Sequence, residues 1–163
     1  MTQVMLRICE EGDEGAVLAF SLPMDQLAFT ALPADSLSLC REDSDRHPIV
    51  ITADCLPVGF FVLHVGQAIA PFTDNPRAVL LRALLMDQIH QGRGYAAQAM
   101  RQVPTFVRQH FPESDEIVLA VNHGNAAASR LYRKSGFLDL GLRRMGPKGE
   151  QSILHYPLKT MTS

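Results

Sequence analysis

A glycine-rich segment in the middle of the chain has the residue types of an anion-binding turn. It reads Gln91-Gly92-Arg93-Gly94-Tyr95-Ala96-Ala97 and lies between an apolar run and a stretch with helical spacing. A turn at the start of a helix presents unpaired backbone N–H groups at the positive end of the helix dipole. Glycine lets the backbone approach a phosphate closely, and Arg93 adds a positive charge. The segment therefore predicts a cradle for a phosphate or diphosphate, although a plain strand-to-helix turn also needs glycine.

The same segment matches the dinucleotide fingerprint GxGxxA, so a nicotinamide oxidoreductase is an alternative. A dinucleotide site of that kind needs an acidic residue at the end of the next strand to hold the ribose. Here the next predicted strand ends in Val121-Asn122, and the nearby acidic residues, between Glu113 and Glu116, precede it. The pattern therefore disfavours a nicotinamide site.

The elements that position this segment follow from apolar patterning and from proline and glycine. The predicted strands are Gln3–Cys9, Pro48–Ala53, Val58–Val65, Ala78–Met86, Glu116–Val121, Phe137–Leu142 and Ile153–Leu158. A first predicted helix begins near Glu11. The other predicted helices are Met24–Thr30, Ala34–Leu39, Gly94–Phe111 and Asn125–Ser135. Pro104 lies inside the fourth helix, where we expect a kink or break. This order of elements predicts a mixed α/β sheet rather than a doubly wound one.

A second motif follows the strand over Glu116–Val121, and it runs from Asn125 to Phe137. Together the two motifs resemble the GCN5-related N-acetyltransferase (GNAT) superfamily. The first matches its loop Q/R-x-x-G-x-G/A at Gln91, Gly94 and Ala96. The second matches N-x-x-A-x-x-L-Y-x-K-x-G-F at Asn125, Ala128, Leu131, Tyr132, Lys134, Gly136 and Phe137.

The resemblance implies an α/β fold with a mixed, mostly antiparallel central sheet of about seven strands and helices on both faces. Residues 1–163 are expected to form a single N-acetyltransferase domain. The region from Gln26 to Gly66 loosely resembles the bacterial diamine and polyamine acetyltransferases. The implied reaction is transfer of an acetyl group from acetyl-CoA to a primary amine of a small molecule or peptide. The amine would attack directly in a ternary complex, and a non-catalytic acyl-CoA-binding or sensor protein is the alternative.

The resemblance also implies residue roles. Backbone groups of Leu84, Leu85 and Met86 would pair with the pantetheine arm, and one N–H would polarise the thioester carbonyl. The diphosphate would bind to Gln91, Gly92, Arg93, Gly94, Tyr95, Ala96 and Ala97. Asn125 would bind the pantetheine, cap its own helix, or do both.

Tyr132 is the residue that the resemblance places at the thioester sulfur. A phenol has a pKa of about 10 and a thiol about 8.5, so full proton transfer to the thiolate is uphill by roughly 2 kcal/mol. We therefore expect Tyr132 to donate a hydrogen bond to the developing thiolate, unless it is a core tyrosine with a satisfied hydroxyl.

The acceptor side departs from the family pattern. An amine attacks only when neutral, so a base is expected, and the polyamine branch often has an acid at the position of Arg82. Arg82 would instead bind a substrate carboxylate or pair with a neighbouring acidic side chain. His123 is a candidate base or substrate contact, or else an exposed loop histidine. Asp54, Asp87 and His64 are further candidates that the sequence does not rank.

Composition sets the remaining limits. The 163 residues are 47% hydrophobic and 20% charged, as in a globular protein with a core. Residues 1–75 carry eleven acidic and three basic side chains, whereas residues 76–163 carry six acidic and twelve basic ones. The acidic half favours a cationic acceptor and Arg82 an anionic one. Three cysteines without metal-ligand spacing predict reduced thiols in a cytoplasmic protein and no metal site, and the lack of a long apolar run predicts no membrane segment. The acidic sequence pI of about 6.3 disfavours nucleic acid as a partner. Dimers are common in the superfamily, so a homodimer is possible.

Overall fold

The framework of the protein is one seven-stranded sheet in the order β1-β2-β3-β4-β5-β7-β6, seen in a computed structural model that describes residues 2–27 and 31–158. The side chains of Asp25 and Leu27 are not described. The strands are β1 (Val4–Ile8), β2 (Arg46–Ala53), β3 (Leu56–His64), β4 (Ala78–Met86), β5 (Glu116–Asn122), β6 (Leu138–Gly146) and β7 (Gly149–Pro157). The helices are α1 (Glu14–Leu18), α2 (Met24–Leu27), α3 (Pro33–Glu42), α4 (Tyr95–His110) and α5 (Ala126–Lys134). Three 3₁₀ turns cover Glu11–Asp13, Gln67–Ile69 and Gln88–His90.

Strand pairing is antiparallel across the described sheet except between β4 and β5, which run parallel. A parallel pair needs a long crossover connection, and α4 supplies it. Side chains of β2 and β3 alternate between two cores. Ile51 and Phe61 pack on the side of α4 and α5, whereas Val50 and Phe60 pack on the side of α1 and α3. The predicted mixed, mostly antiparallel sheet with helices on both faces is confirmed.

Several elements differ from the prediction; β7, for example, begins at Gly149 and not at Ile153. Helix α4 runs past Pro104 without interruption, so the expected break is wrong. Pro104 lies on the buried face of α4, and packing of that face against the sheet offsets the hydrogen bond that proline cannot donate. Strand β6 continues to Gly146 because β7 begins at Gly149 and pairs with it across a tight turn. The predicted helix Met24–Thr30 is seen to Leu27, and residues 28–30 lie outside the described residues.

The surroundings of the thiols fit the sequence prediction of reduced cysteines. Cys9, Cys40 and Cys55 are all free. Burial, followed by the charge of Asp13, raises the pKa of Cys9 to about 11, so its thiol stays protonated at neutral pH. No helix in the described part of the chain is both long and apolar enough to cross a bilayer.

The feature of the sheet that matters most for the site is a gap between β4 and β5. The two strands pair only over Ala78–Leu80 and Glu116–Val118, although both continue for several residues beyond. The register between β3 and β4 shows a β-bulge near the point of separation: Arg82 is opposite Val62 and Leu85 is opposite Phe60. Ala83 and Leu84 of β4 therefore both lie opposite a single residue of β3, and Ala83 has a φ of 61°. A bulge bends its strand, so β4 turns away from β5 at this point.

Glycine at position 59 permits the close approach of β3 to the end of β4. A Cβ atom there would lie 2.5 Å from Sδ of Met86 and 2.9 Å from the carbonyl oxygen of Leu85. The second contact is with backbone, so the strands themselves would have to move apart. We predict that Gly59→Ala lowers the free energy of unfolding by about 1–3 kcal/mol, measured by urea denaturation.

A matched control is Gly15→Ala in α1, where a Cβ meets nothing within 4 Å. Alanine favours a helix interior over glycine by roughly 0.5–1 kcal/mol, so this variant should keep or gain stability. Equal stabilities of the two variants would contradict the argument from close approach.

Candidate active site

A cleft of about 650 Å³ fills the gap between β4 and β5 on the face of the sheet that carries α4 and α5. Six segments line it: the segment around α2, the second half of β4, the loop after it, the start of α4, the end of β5, and α5 with the turn before it. Of the predicted site residues, those in the lining are Arg82, Leu84, Leu85, Met86, Gln91, Gly92, Gly94, Tyr95, Ala96, Ala97, Asn125 and Tyr132. Arg93 is exposed and is not among the lining residues.

The glycine-rich loop meets the cleft with its backbone. Gly92 and Gly94 have φ values of 82° and 79°, in the left-handed region that favours glycine. Gly94 is the N-cap of α4, so the unpaired N–H groups of the first helical turn lie beside the cleft. A Cβ on Gly92 or Gly94 would meet no atom within 4 Å, so both glycines border open space. The loop thus offers backbone donors and room for a ligand.

Side-chain amides hold this loop in place. Nε2 of Gln91 donates to the carbonyl oxygen of Met86 at 2.9 Å, which ties the loop to the end of β4. The amides of Gln91 and Gln26 also pair with each other at 3.1 Å. Asp87 accepts a hydrogen bond from the backbone N–H of Ser21 at 3.1 Å. The loop is therefore fastened both to the sheet and to the segment around α2.

Tyr132 reaches the same cleft from α5. The helix begins at Asn125, whose Oδ1 accepts from the backbone N–H of Ala128 at 3.2 Å, so the capping role predicted for Asn125 is seen. The side chain of Tyr132 is 8% exposed and packs edge-on against Phe137. Its hydroxyl forms no hydrogen bond with another described residue. Burial raises the pKa of Tyr132 above its ordinary value, so the phenol stays protonated and acts as a donor.

A second, smaller cavity of about 280 Å³ lies on the opposite face of the sheet, beside α3. It shares Leu81, Arg82, Ala83, Ala120 and Asn122 with the larger cleft. These five residues flank the gap in the sheet, so the two cavities meet there. The arrangement suits two ligands that approach one point from opposite faces.

A model of the Acetyltransferase (GNAT) family matches residues 17–137, which is most of the chain. The chain belongs to this family. It is 51% identical over 139 residues to "Uncharacterized N-acetyltransferase YbbJ" of Bacillus subtilis (strain 168), covering 85% of this chain and 87% of that relative. The predicted resemblance and the predicted class of enzyme, an N-acetyltransferase, are confirmed, and the non-catalytic sensor is not favoured.

Solved structures of other acetyltransferases share the fold. One is the aminoglycoside acetyltransferase AAC(6′)-Ib in complex with coenzyme A, with a TM-score of 0.76, 18% identity and 95% of both chains covered. Another is the spermidine N-acetyltransferase from Vibrio cholerae in complex with CoA and spermine, with a TM-score of 0.72, 18% identity and 96% of both chains covered. At this identity the similarity concerns the fold.

The structure of this acetyltransferase separates the candidate bases. His123 is exposed, its Nδ1 lies 3.2 Å from Oε1 of Glu150, and it lines neither cavity. Asp54 lies in the β2–β3 turn and accepts from the backbone N–H of Gln3. Asp87 lines neither cavity. These three residues, which the sequence suggested as candidate bases, therefore line neither of the two cavities.

Arg82 has a different partner from the one that the sequence suggested. Among the described residues, no carboxylate lies within ion-pair distance of its guanidinium. Nη1 of Arg82 lies 3.2 Å from Nδ1 of His64, and the guanidinium lies 5.5 Å from the centre of the Phe72 ring. Burial, and then the charges of Arg46 and Arg144, lower the pKa of Arg82 from its usual value. Arg46, Arg144 and Phe72 line the smaller cavity and were missed by the sequence analysis.

His64 is buried and orients Arg82. A guanidinium only donates, so Nδ1 of His64 must accept, and the ring proton is then on Nε2, which lies 3.5 Å from Oδ2 of Asp43. Burial lowers the pKa of His64 from 6.5, and the charges of Arg46 and Arg82 lower it further. These lowering effects on the pKa outweigh the raising effect of the nearby Asp43 carboxylate, so His64 is neutral in the folded protein at about pH 7.

This lowered pKa makes stability depend on pH. In the unfolded chain His64 takes up a proton near pH 6.5, whereas in the folded protein it does so only at lower pH. We predict that the free energy of unfolding falls as the pH is lowered from about 7 to about 5, because the unfolded state binds more protons there. Urea denaturation across this range should show a smaller fall in His64→Gln. The control His110→Gln, at an exposed position of α4, should keep the full fall; a fall of the same size in all three proteins would refute the assignment.

Proposed function

We propose that this acetyltransferase moves the acetyl group of acetyl-CoA to a primary amine of a small molecule or peptide, by direct attack in a ternary complex. The observation that carries the proposal is the gap between β4 and β5, where a large cleft and a smaller cavity meet from opposite faces. Such a gap lets a thioester and an amine react without a covalent enzyme intermediate. The cytoplasmic location, the single domain and a homodimer stay predictions from the sequence.

The larger cleft is the proposed donor site. The diphosphate of CoA would bind to the glycine-rich loop, where the N–H groups of the first turn of α4 and the helix dipole favour a negative charge. The pantetheine arm would lie along the second half of β4, paired with backbone groups of Leu84, Leu85 and Met86. Two of the solved structures with this fold contain CoA, which supports the assignment. Arg93, exposed beside the loop, would add a charge at its rim.

The β-bulge gives a reason for the reaction to occur at this point of β4. A bulge takes a backbone amide out of the regular ladder and re-aims it. An N–H directed at the thioester oxygen stabilises the negative charge that develops there during attack. We assign this role to one backbone N–H within the stretch Leu84–Met86.

Tyr132 is the proposed donor to the leaving sulfur. The amine nitrogen forms a bond to the acyl carbon, the carbon–sulfur bond breaks, and the proton lost by nitrogen ends on the sulfur. Tyr132 donates a hydrogen bond to the developing thiolate, and the proton lost by the amine reaches the sulfur, directly or through water, as the product leaves. Its raised pKa keeps the phenol protonated, so it stays a donor throughout the reaction. The overall reaction of a neutral amine then releases no net proton.

The first experiment is to measure thiol release from acetyl-CoA with amine acceptors, together with mass spectrometry of the acetylated product. Calorimetric titration with acetyl-CoA measures the donor site separately. Absence of both thiol release and acetyl-CoA binding would refute the proposed function.

Removal of the Tyr132 hydroxyl tests this hydrogen-bond donor. We predict that Tyr132→Phe lowers kcat by about a hundredfold or more, within the range for loss of one donor to charge that develops in the transition state, with little change in the KM for acetyl-CoA. Tyr156→Phe is the matched control, because Tyr156 packs against Phe137 but lines neither cavity. An equal loss in both variants, or none in Tyr132→Phe, would contradict the role.

Substitution of Gly94 tests the phosphate cradle. We predict that Gly94→Ala raises the KM for acetyl-CoA by about tenfold or more, equivalent to about 1.4 kcal/mol, because a methyl group enters the space beside the backbone donors. Gly141→Ala is the control for backbone strain: Gly141 also has a positive φ, of 95°, with open space around it, but lies in β6 outside both cavities. A similar rise in both variants would mean that strain, and not the cradle, is responsible.

A further inference from the structure

The smaller cavity has basic side chains in its wall and, among the described residues, no acidic one. Its basic residues are Arg46, Arg82, Arg144 and Lys148. The remaining polar lining comes from uncharged side chains: Ser36, Asn122 and Gln151. If the larger cleft holds the donor, this cavity is where the acceptor approaches the gap.

Two of these guanidiniums have only neutral partners among the described residues. Arg82 interacts with neutral His64, as described above, and Nη1 of Arg144 donates to Oε1 of Gln151 at 2.8 Å. Both lie against the ring of Phe72, with Arg144 4.3 Å and Arg82 5.5 Å from its centre. Partly buried positive charges of like sign without a counter-ion are costly to hold together. A bound anion would relieve that cost.

The carboxylate beside the third arginine, Arg46, does not neutralise the wall of the cavity. Arg46 lies 3.6 Å from Oδ2 of Asp43, and the same carboxylate oxygen lies 3.5 Å from His64. Asp43 is thus on the far side of Arg46 and His64 and does not line the cavity. The cavity itself keeps a positive wall.

We propose that the acceptor is a small primary amine that also carries an oxyanion, a carboxylate or a phosphate, bound by Arg82 and Arg144 beside Phe72. The inference rests on the proposed function and names its substrate class. Guanidinium groups bind such oxyanions through strong, charge-assisted hydrogen bonds. Polycationic acceptors, after which the solved aminoglycoside and spermidine acetyltransferases are named, would be repelled by the same wall.

The positive wall also bears on the missing base. An alkylamine with a pKa of about 10 is less than roughly 1% neutral at about pH 7. Nearby positive charge disfavours the ammonium form and lowers that pKa. The arginines would therefore hold the oxyanion and raise the neutral, nucleophilic fraction of the amine. This accounts for a cavity in whose described lining no carboxylate base is present.

A charge-matched series of acceptors tests the inference. γ-Aminobutyrate, butylamine and putrescine have carbon chains of the same length with a primary amine at one end, and they differ in whether the group at the other end is negative, neutral or positive. Alanine with alaninamide and phosphoethanolamine with ethanolamine extend the comparison and separate carboxylate from phosphate. We expect kcat/KM for thiol release to be about tenfold to a hundredfold higher for the best anionic acceptor than for its neutral analogue, the range for a charge-assisted hydrogen bond. The cationic analogue should be poorer still.

Substitutions of the cavity arginines test whether these side chains cause the preference for anionic acceptors. Arg82→Gln and Arg144→Gln should each reduce the ratio between anionic and neutral acceptors about tenfold. Calorimetric binding of acetyl-CoA should stay unchanged in Arg144→Gln, because Arg144 does not line the larger cleft. Arg101→Gln is the control, because Arg101 is exposed on α4 and lines neither cavity. A ratio that is unaffected by the cavity variants, or is lowered equally in the control, would overturn the inference.

The two proposals fail in different ways. Higher kcat/KM for putrescine than for γ-aminobutyrate would overturn the oxyanion inference and leave the acetyl transfer standing. Binding of acetyl-CoA, without release of CoA thiol in the presence of any anionic acceptor, would also overturn the oxyanion inference, and the proposed donor site would stand. Only the absence of both binding and release would remove the proposed function itself.

Discussion

The structure depends on a short parallel pairing. β4 and β5 are hydrogen-bonded over three residues each and then separate, although each stays paired on its other side with β3 or β7. The sheet therefore remains continuous at one end and is open at the other. The open part of the two strands borders the larger cleft in place of a neighbouring strand. The bulge at Ala83, the close approach at Gly59 and the turn into α4 all adjust the strand that borders this opening.

Local sequence signals predicted much of the fold. The apolar run of Ala78–Met86, interrupted only by Arg82, predicted the central strand with its observed boundaries, because a strand buried on both faces has apolar residues at nearly every position. Asn125 predicted the start of α5, since an N-cap is decided by one side chain. The bulge had no such signal: the sequence around Ala83 is uniformly apolar except for Arg82, and a positive φ at alanine is imposed by neighbouring strands. Pro104 shows the same priority of packing over local preference.

The candidate site was predictable on one side of the sheet only. Most of the glycine-rich loop and Tyr132 lie in motifs of consecutive residues, so the sequence located that wall of the cleft. Arg46, Arg82 and Arg144 come from β2, β4 and β6, far apart in the chain, and only the strand order and packing bring them to one cavity. The uneven charge of the two halves of the sequence did not predict this wall, because Arg46 belongs to the acidic half and yet lines the cavity.

The opening through the sheet has a consequence for the order of events in a catalytic cycle. A pocket with a single mouth forces one substrate to enter before the other and one product to leave first. Here each cavity has its own face of the sheet, and the two share only the residues around the gap. If donor and acceptor bind in these two cavities as proposed, neither blocks the path of the other, and steric hindrance imposes no sequence of arrival or departure. Any preferred order in such a protein has to come from energetic coupling across the gap, and Arg82, which lines both cavities, is the side chain placed to provide it.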